Sequence, residues 1–185
     1  MKRFTLGLLF LLFLGLPSNA YNMNHFTNDF KISDALVLLE QNGATEIFDN
    51  LQENSVKILF YDLSMLSYSY RDHYAINGEN SMGQRFILIN TKYMKCSVEE
   101  IACLIAHESC HKAKVATLAE ETLATQTEAK YWIKLKQVNK IYKENDLYDR
   151  LNNLAYLYQN STKAENKIQE KIANSEFYKA QLSVK

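Results

Sequence analysis

The residues His107-Glu108-Ser109-Cys110-His111 carry the chemistry that this chain announces most clearly. Two imidazoles four positions apart lie on one face of a helix, so both can converge on one zinc ion at about 2.0–2.1 Å. The glutamate between them projects roughly 100° round the helix from His107, close to the ion without taking a ligand position. Zinc lowers the pKa of a water molecule to about 7, and a carboxylate beside it can take the proton. The H-E-x-x-H spacing thus assigns His107 and His111 as zinc ligands and Glu108 as general base. The bland alternative is a helix with two core histidines. It leaves two polar rings one turn apart in an apolar helix, which is costly unless both find partners.

A catalytic zinc site wants a third protein ligand and an open position. The chain has four histidines, and none follows His111. The extended H-E-x-x-H-x-x-G-x-x-H pattern needs Gly at 114 and His at 117, where this chain has Lys114 and Thr117, so that pattern is excluded. His25 and His73 both lie upstream, in segments that read as surface. A carboxylate is therefore expected, and Glu120, Glu121 and Glu128 are the candidates. If the two helices form a hairpin turning near 116, His111 lies opposite about 121 and His107 opposite about 125. Glu128 then falls one to two turns too far along. Glu120 is the N3 partner of Thr117 in a capping box, which leaves Glu121 as the expected ligand. Its competing role is to complement the helix dipole from the first turn.

H-E-x-x-H on one helix with a ligating glutamate on the next resembles the gluzincin metallopeptidases, and the short chain looks like their minimal members. The resemblance runs from Arg85 to Trp132, through RFILIN, SVEEIACLIAHESCH and LAEETLATQTEAKYW, which are similar to that family's strand, active-site helix and Glu helix. It implies that His107, His111 and Glu121 bind zinc and that Glu108 is the general base. It also implies that the strand at 85–90 binds an extended peptide by strand addition. In the family the residue four after the ligating Glu is often an Asp bonded to a ligand His. Here it is Thr125, a weaker partner. Cys110, inside the motif, reads as packing. No residue is assigned as oxyanion stabiliser; Tyr131 is one candidate among the downstream tyrosines, and a tyrosine at helical spacing usually packs.

The elements that must position these groups follow from pattern. Residues 33–53 read as helix, capped by Ser33 or Asp34 and interrupted at Gly43. Residues 56–61 have strand composition, 62–72 have no clear period, and Tyr74–Ile76 with Arg85–Asn90 read as a hairpin around NGENSMG. Ser97 and Glu100 form a capping box for a buried helix through IACLIAHESCHKA. The next helix is expected from 118 to about 143, with Leu123, Trp132, Leu135, Val138 and Ile141 inward. Two more follow at 146–158 and 162–182, the last with Thr162 and Glu165 as a cap and an alternating Lys/Glu face that reads as solvated. The order is helix, strands, helices: an α+β fold, zincin-like, with a small antiparallel or mixed sheet on the H-E-x-x-H helix.

The opening residues form a leader. Lys2 and Arg3 precede an apolar run from Phe4 to Leu16, Pro17 breaks it, and Ser18 and Ala20 suit cleavage after residue 20. The expected organisation is a signal peptide at 1–20, a metallopeptidase domain at 21–145 and a helical extension at 146–185. Lys+Arg and Asp+Glu are both 21 in the whole chain, which argues against a nucleic-acid partner. Cys96, Cys103 and Cys110 recur every seven residues. On a helix that puts neighbours about 10.5 Å apart, beyond disulfide reach, so they read as small apolar residues. Asn160-Ser161-Thr162 matches a glycosylation acceptor. The expected function is an exported zinc metallopeptidase, periplasmic or secreted, acting on a peptide or protein. The alternative is a non-catalytic zincin-like protein that binds a partner through its C-terminal helices.

Overall fold

The computed structural model describes residues 21–112, 117–136, 142–160 and 163–175. The expected leader at 1–20, residues 113–116, Val138, Ile141, Ser161, Thr162 and the part of the expected last helix beyond 175 lie outside them. The first helix, α1, runs Phe30–Gln41 and is capped by Asp29, whose side chain accepts from the Ile32 amide at 3.1 Å. This start lies upstream of the expected Ser33 or Asp34 because the apolar stripe begins earlier: Ile32, Ala35, Leu36 and Leu39 are all buried. Gly43, at φ +73, turns the chain directly into α2, Thr45–Glu53.

Three strands follow: β1 Lys57–Tyr61, β2 Ala75–Glu79 and β3 Arg85–Asn90. Their order is β1-β3-β2, with β1 parallel and β2 antiparallel to β3. The segment without clear period forms two short 3-10 turns, Leu63–Met65 and Tyr68–Tyr70, on the crossing from β1 to β2. The hairpin is as expected, but β2 continues through Asn77-Gly78-Glu79. Gly78 suits that place, since a Cβ there would meet the Phe86 ring at 3.1 Å. The sheet corrects one implication of the resemblance. β3 is the central strand and both its edges are paired, so an extended peptide cannot add to residues 85–90. The edge strands are β1 and β2. On β1 the Ile58 amide already donates to the Phe26 carbonyl at 2.8 Å, and Lys57 Nζ donates to the His25 carbonyl.

Helix α3, Val98–Glu108, carries the full capping box: Glu100 N donates to Ser97 Oγ at 3.2 Å, and Ser97 N to Glu100 Oε2 at 2.7 Å. Every residue from Ile101 to Ala106 is buried, as an all-round apolar helix requires. Helix α4, Leu118–Leu135, starts at Thr117 as expected. Its inner stripe is Glu121, Ala124, Thr125, Glu128, Ala129 and Trp132. Leu123 was expected inward but is 55% exposed; it stands about 200° round from Glu121. The last helices are α5, Asp146–Gln159, and α6, Ala164–Asn174. Leu147 and Leu151 of α5 belong to the same core cluster as Trp132, Ile105 and Ile87, so the core continues past residue 145. The described architecture is thus mixed α+β, with six α-helices and one three-stranded sheet. No helix among the described residues is long and apolar enough to cross a membrane.

Because α5 shares that core, Leu151→Ala is expected to cost about 2–5 kcal/mol. Urea unfolding followed by Trp132 fluorescence and by far-UV circular dichroism should shift together as one transition. Two separated transitions would show that the C-terminal helices fold as a unit of their own.

Candidate metal centre

Helix α3 ends inside the motif, at Glu108, and not beyond it as the pattern predicts. The chain then tightens: Cys110 N donates to the His107 carbonyl at 3.0 Å, and His111 N to the Glu108 carbonyl at 3.3 Å. Ser109 Oγ and Cys110 Sγ both donate to the Ala106 carbonyl, at 2.9 and 3.4 Å. His111 therefore follows a tight turn, yet its ring still stands beside His107, centroids 5.3 Å apart. Two hairpin residues hold this turn. Asn77 Nδ2 donates to the Glu108 carbonyl at 2.8 Å, and Arg85 Nη2 donates to the His111 carbonyl at 2.8 Å and to Asn77 Oδ1 at 2.9 Å. They satisfy carbonyls that a helix end leaves without partners, and the guanidinium suits the negative end of the dipole. Sequence reasoning missed both. Neither stands out in a hairpin that also carries Glu79, Asn80, Gln84 and Asn90.

The carboxylate of Glu121 closes the group. His107 Nε2 lies 3.6 Å from Glu121 Oε2, and His111 Nε2 lies 3.7 Å from Glu121 Oε1. One donor atom from each of the three residues falls within 4.8 Å of the others, so His107, His111 and Glu121 could hold a metal ion. The Glu120 amide donates to Thr117 Oγ1 at 3.2 Å, and its carboxylate is engaged as well. Its Oε1 accepts from the Lys112 amide at 2.6 Å, and its Oε2 stands 3.9 Å from His111 Nδ1.

Glu128 is the larger correction. It does not lie beyond reach: its Oε2 is 3.1 Å from His107 Nδ1. The hairpin arithmetic compares backbone levels, whereas an imidazole and a glutamate together span more than a turn. Glu128 is wholly buried and pairs with Arg150 of α5, Nη2 to Oε2 at 2.7 Å and Nη1 to Oε1 as well. A carboxylate so paired is an acceptor only. His107 Nδ1 must then donate to it, which directs Nε2 toward Glu121 and His111. Thr125, expected in that supporting place, is buried with its hydroxyl bonded to nothing. Tyr131 lines a separate cavity of about 370 Å³ with Cys110, Lys130 and Glu46. His25 is exposed and His73 packs edge-on against Tyr70. All three cysteines are free thiols, Cys96 and Cys103 buried.

Charge in this site is strongly coupled. Burial alone pulls the His107 pKa down, but the Glu121 and Glu128 carboxylates outweigh it and push it up to about 10. Burial works the other way on Glu121 and Glu128, yet His107 and Arg150 hold both below the usual carboxylate range. Glu108 has less compensation: burial, aided by Glu121 and Glu128, raises its carboxyl against the pull of the imidazoles. A buried site with three carboxylates fits a bound cation. Glu121 Oε2, buried and without a hydrogen-bond partner, is the atom such an ion would satisfy. Two imidazoles and a carboxylate form a donor set that zinc accepts.

The proton on His107 gives this centre a signature. Its folded pKa lies above the unfolded value of about 6.5, so the proton stabilises the metal-free fold fully below that pH. That contribution fades as pH rises toward about 10. A metal ion must displace this proton, so binding at pH 7.5 should release about one proton, with affinity rising roughly tenfold per pH unit from 7 to 9. Titration calorimetry in buffers of different ionisation enthalpy measures the release; pH-independent binding without it would contradict this account. Compared with family models, curated proteins and solved structures, the chain matches none of them.

Proposed function

We propose that the chain is an exported zinc metallopeptidase of gluzincin type. The observation that carries the reading is the convergence of His107, His111 and Glu121 within 4.8 Å, with Glu108 next to His107 as the last residue of α3. A zinc ion held by those three residues would supply Lewis acidity to a water molecule and to a scissile carbonyl. Glu108 then takes a proton from the attacking water and delivers it to the leaving amine. Burial suits it to both tasks, because a raised carboxyl pKa lies closer to the working pH. Asn77 and Arg85 keep Glu108 and His111 in register through their carbonyls.

The substrate edge in this proposal is β2, not β3. The Asn90 amide donates to the Tyr74 carbonyl, which makes 74 and 90 a hydrogen-bonded pair. In an antiparallel ladder the intervening Ala75 and Asn77 then turn their backbone N–H and C=O away from β3. An extended peptide laid on that edge would run past Asn77, whose side chain touches the motif. The apolar leader Phe4–Leu16 supports export. One observation favours a second reading. The side chains of His107, His111 and Glu121 are only 8%, 10% and 6% exposed, as suits a structural metal in a protein that binds a partner through its C-terminal helices.

The experiment is metal analysis with a peptide-library cleavage assay. The purified protein should bind about one zinc, and Glu108→Gln should keep the metal while kcat/KM falls by about 100-fold or more. Equal cleavage by wild type and Glu108→Gln would sink the mechanism. Zinc binding by a wild type that cleaves nothing would favour the structural reading.

A further inference from the structure

Arg150 lies 22 positions beyond Glu128, on a different helix, yet its guanidinium meets the carboxylate that supports His107. Both ends of this contact are well fixed. Glu128 has none of its side chain in solvent, and Arg150 is 20% exposed. The guanidinium also lies over the Tyr74 ring, 4.9 Å from its centroid, at the entry to β2. The fork uses two nitrogens on two oxygens of Glu128, a geometry that a lysine cannot copy. Glu128 Oε2 is shared between Arg150 and His107 Nδ1, so moving the guanidinium moves the acceptor that orients the ring.

Resting on the metal-centre reading above, we infer that Arg150 is a positioning residue for the metal site, acting through Glu128 on His107. It touches neither the ion nor a substrate. Its work is to hold the Glu128 carboxylate in one rotamer, with Oε2 against His107 Nδ1, so that His107 presents Nε2 to the ion. The C-terminal helix α5 thereby becomes part of the metal centre's construction, and by linkage an ion bound at His107 favours the docked position of α5.

Zinc affinity, measured by competition with a chromophoric chelator, tests this without reference to cleavage. Arg150→Met should weaken binding by about 10- to 100-fold, and Arg150→Lys by less, since it restores charge but not the fork. Glu128→Gln should show a loss like that of Arg150→Met. Combined, the two changes should add less than about threefold to either alone, because both cut one route. Circular dichroism and thermal melts establish that each variant is folded. If Arg150→Met does not fold, Arg150→Lys carries the test: its loss must vanish in the Glu128→Gln background. Wild-type affinity in Arg150→Met, or losses that multiply fully in the double variants, would overturn the inference. A wild type that binds no zinc would instead remove the metal-centre reading on which it rests.

Discussion

A glutamate with no surface in water needs a permanent cation, and Glu128 has found one on another helix. Removing one partner from such a buried pair leaves an uncompensated charge and costs about 3–5 kcal/mol. That requirement ties together elements far apart in the chain. Helix α4 supplies Glu128, α5 supplies Arg150, and α3 presents His107 to the shared oxygen. The apolar packing around the pair is consistent with it, since Leu147 and Leu151 carry α5 into the core beside Trp132. Tyr93, which donates to Asp146 at 2.9 Å, makes a second polar tether between the start of α5 and the 3-10 turn Thr91–Tyr93 that follows β3.

The site hangs between this pair and the hairpin. On one side Glu128 sets the orientation of His107; on the other Asn77 and Arg85 grip the carbonyls of Glu108 and His111. The motif therefore does not rest on helical periodicity alone. It occupies the last turn of α3 and a tight turn after it, and both halves are held from outside. This explains how two imidazoles and Glu121 stay within a few ångströms of one another although α3 stops at Glu108.

What could be read from the chain was local. The Ser97–Glu100 box, the Thr117 cap and the apolar run of α3 depend on residues within a turn of each other, and each stands where the pattern places it. The Glu121 position could also be reached, because a short connection limits the offset between neighbouring helices. Non-local pairing was not legible in the same way. Nothing within RFILIN distinguishes a central strand from an edge; that depends on β1 crossing over to the far side. Leu123 misled because an apolar side chain was given priority over the carboxylates and threonines that occupy the inner face of α4. Arg150 could not be found from spacing, since its partner sits on another helix.

The Phe26 carbonyl on Ile58 has a further consequence. An edge strand with open amides invites pairing with other chains. β1 also carries Leu59 and Tyr61, each more than a third exposed. The short stretch before α1 acts as a guard on that edge, blocking strand addition with one main-chain bond and the neighbouring Lys57–His25 contact. Trimming the chain beyond Phe26 would leave His107, His111 and Glu121 in place and open this edge, so the residues just before α1 bear on colloidal behaviour more than on that group.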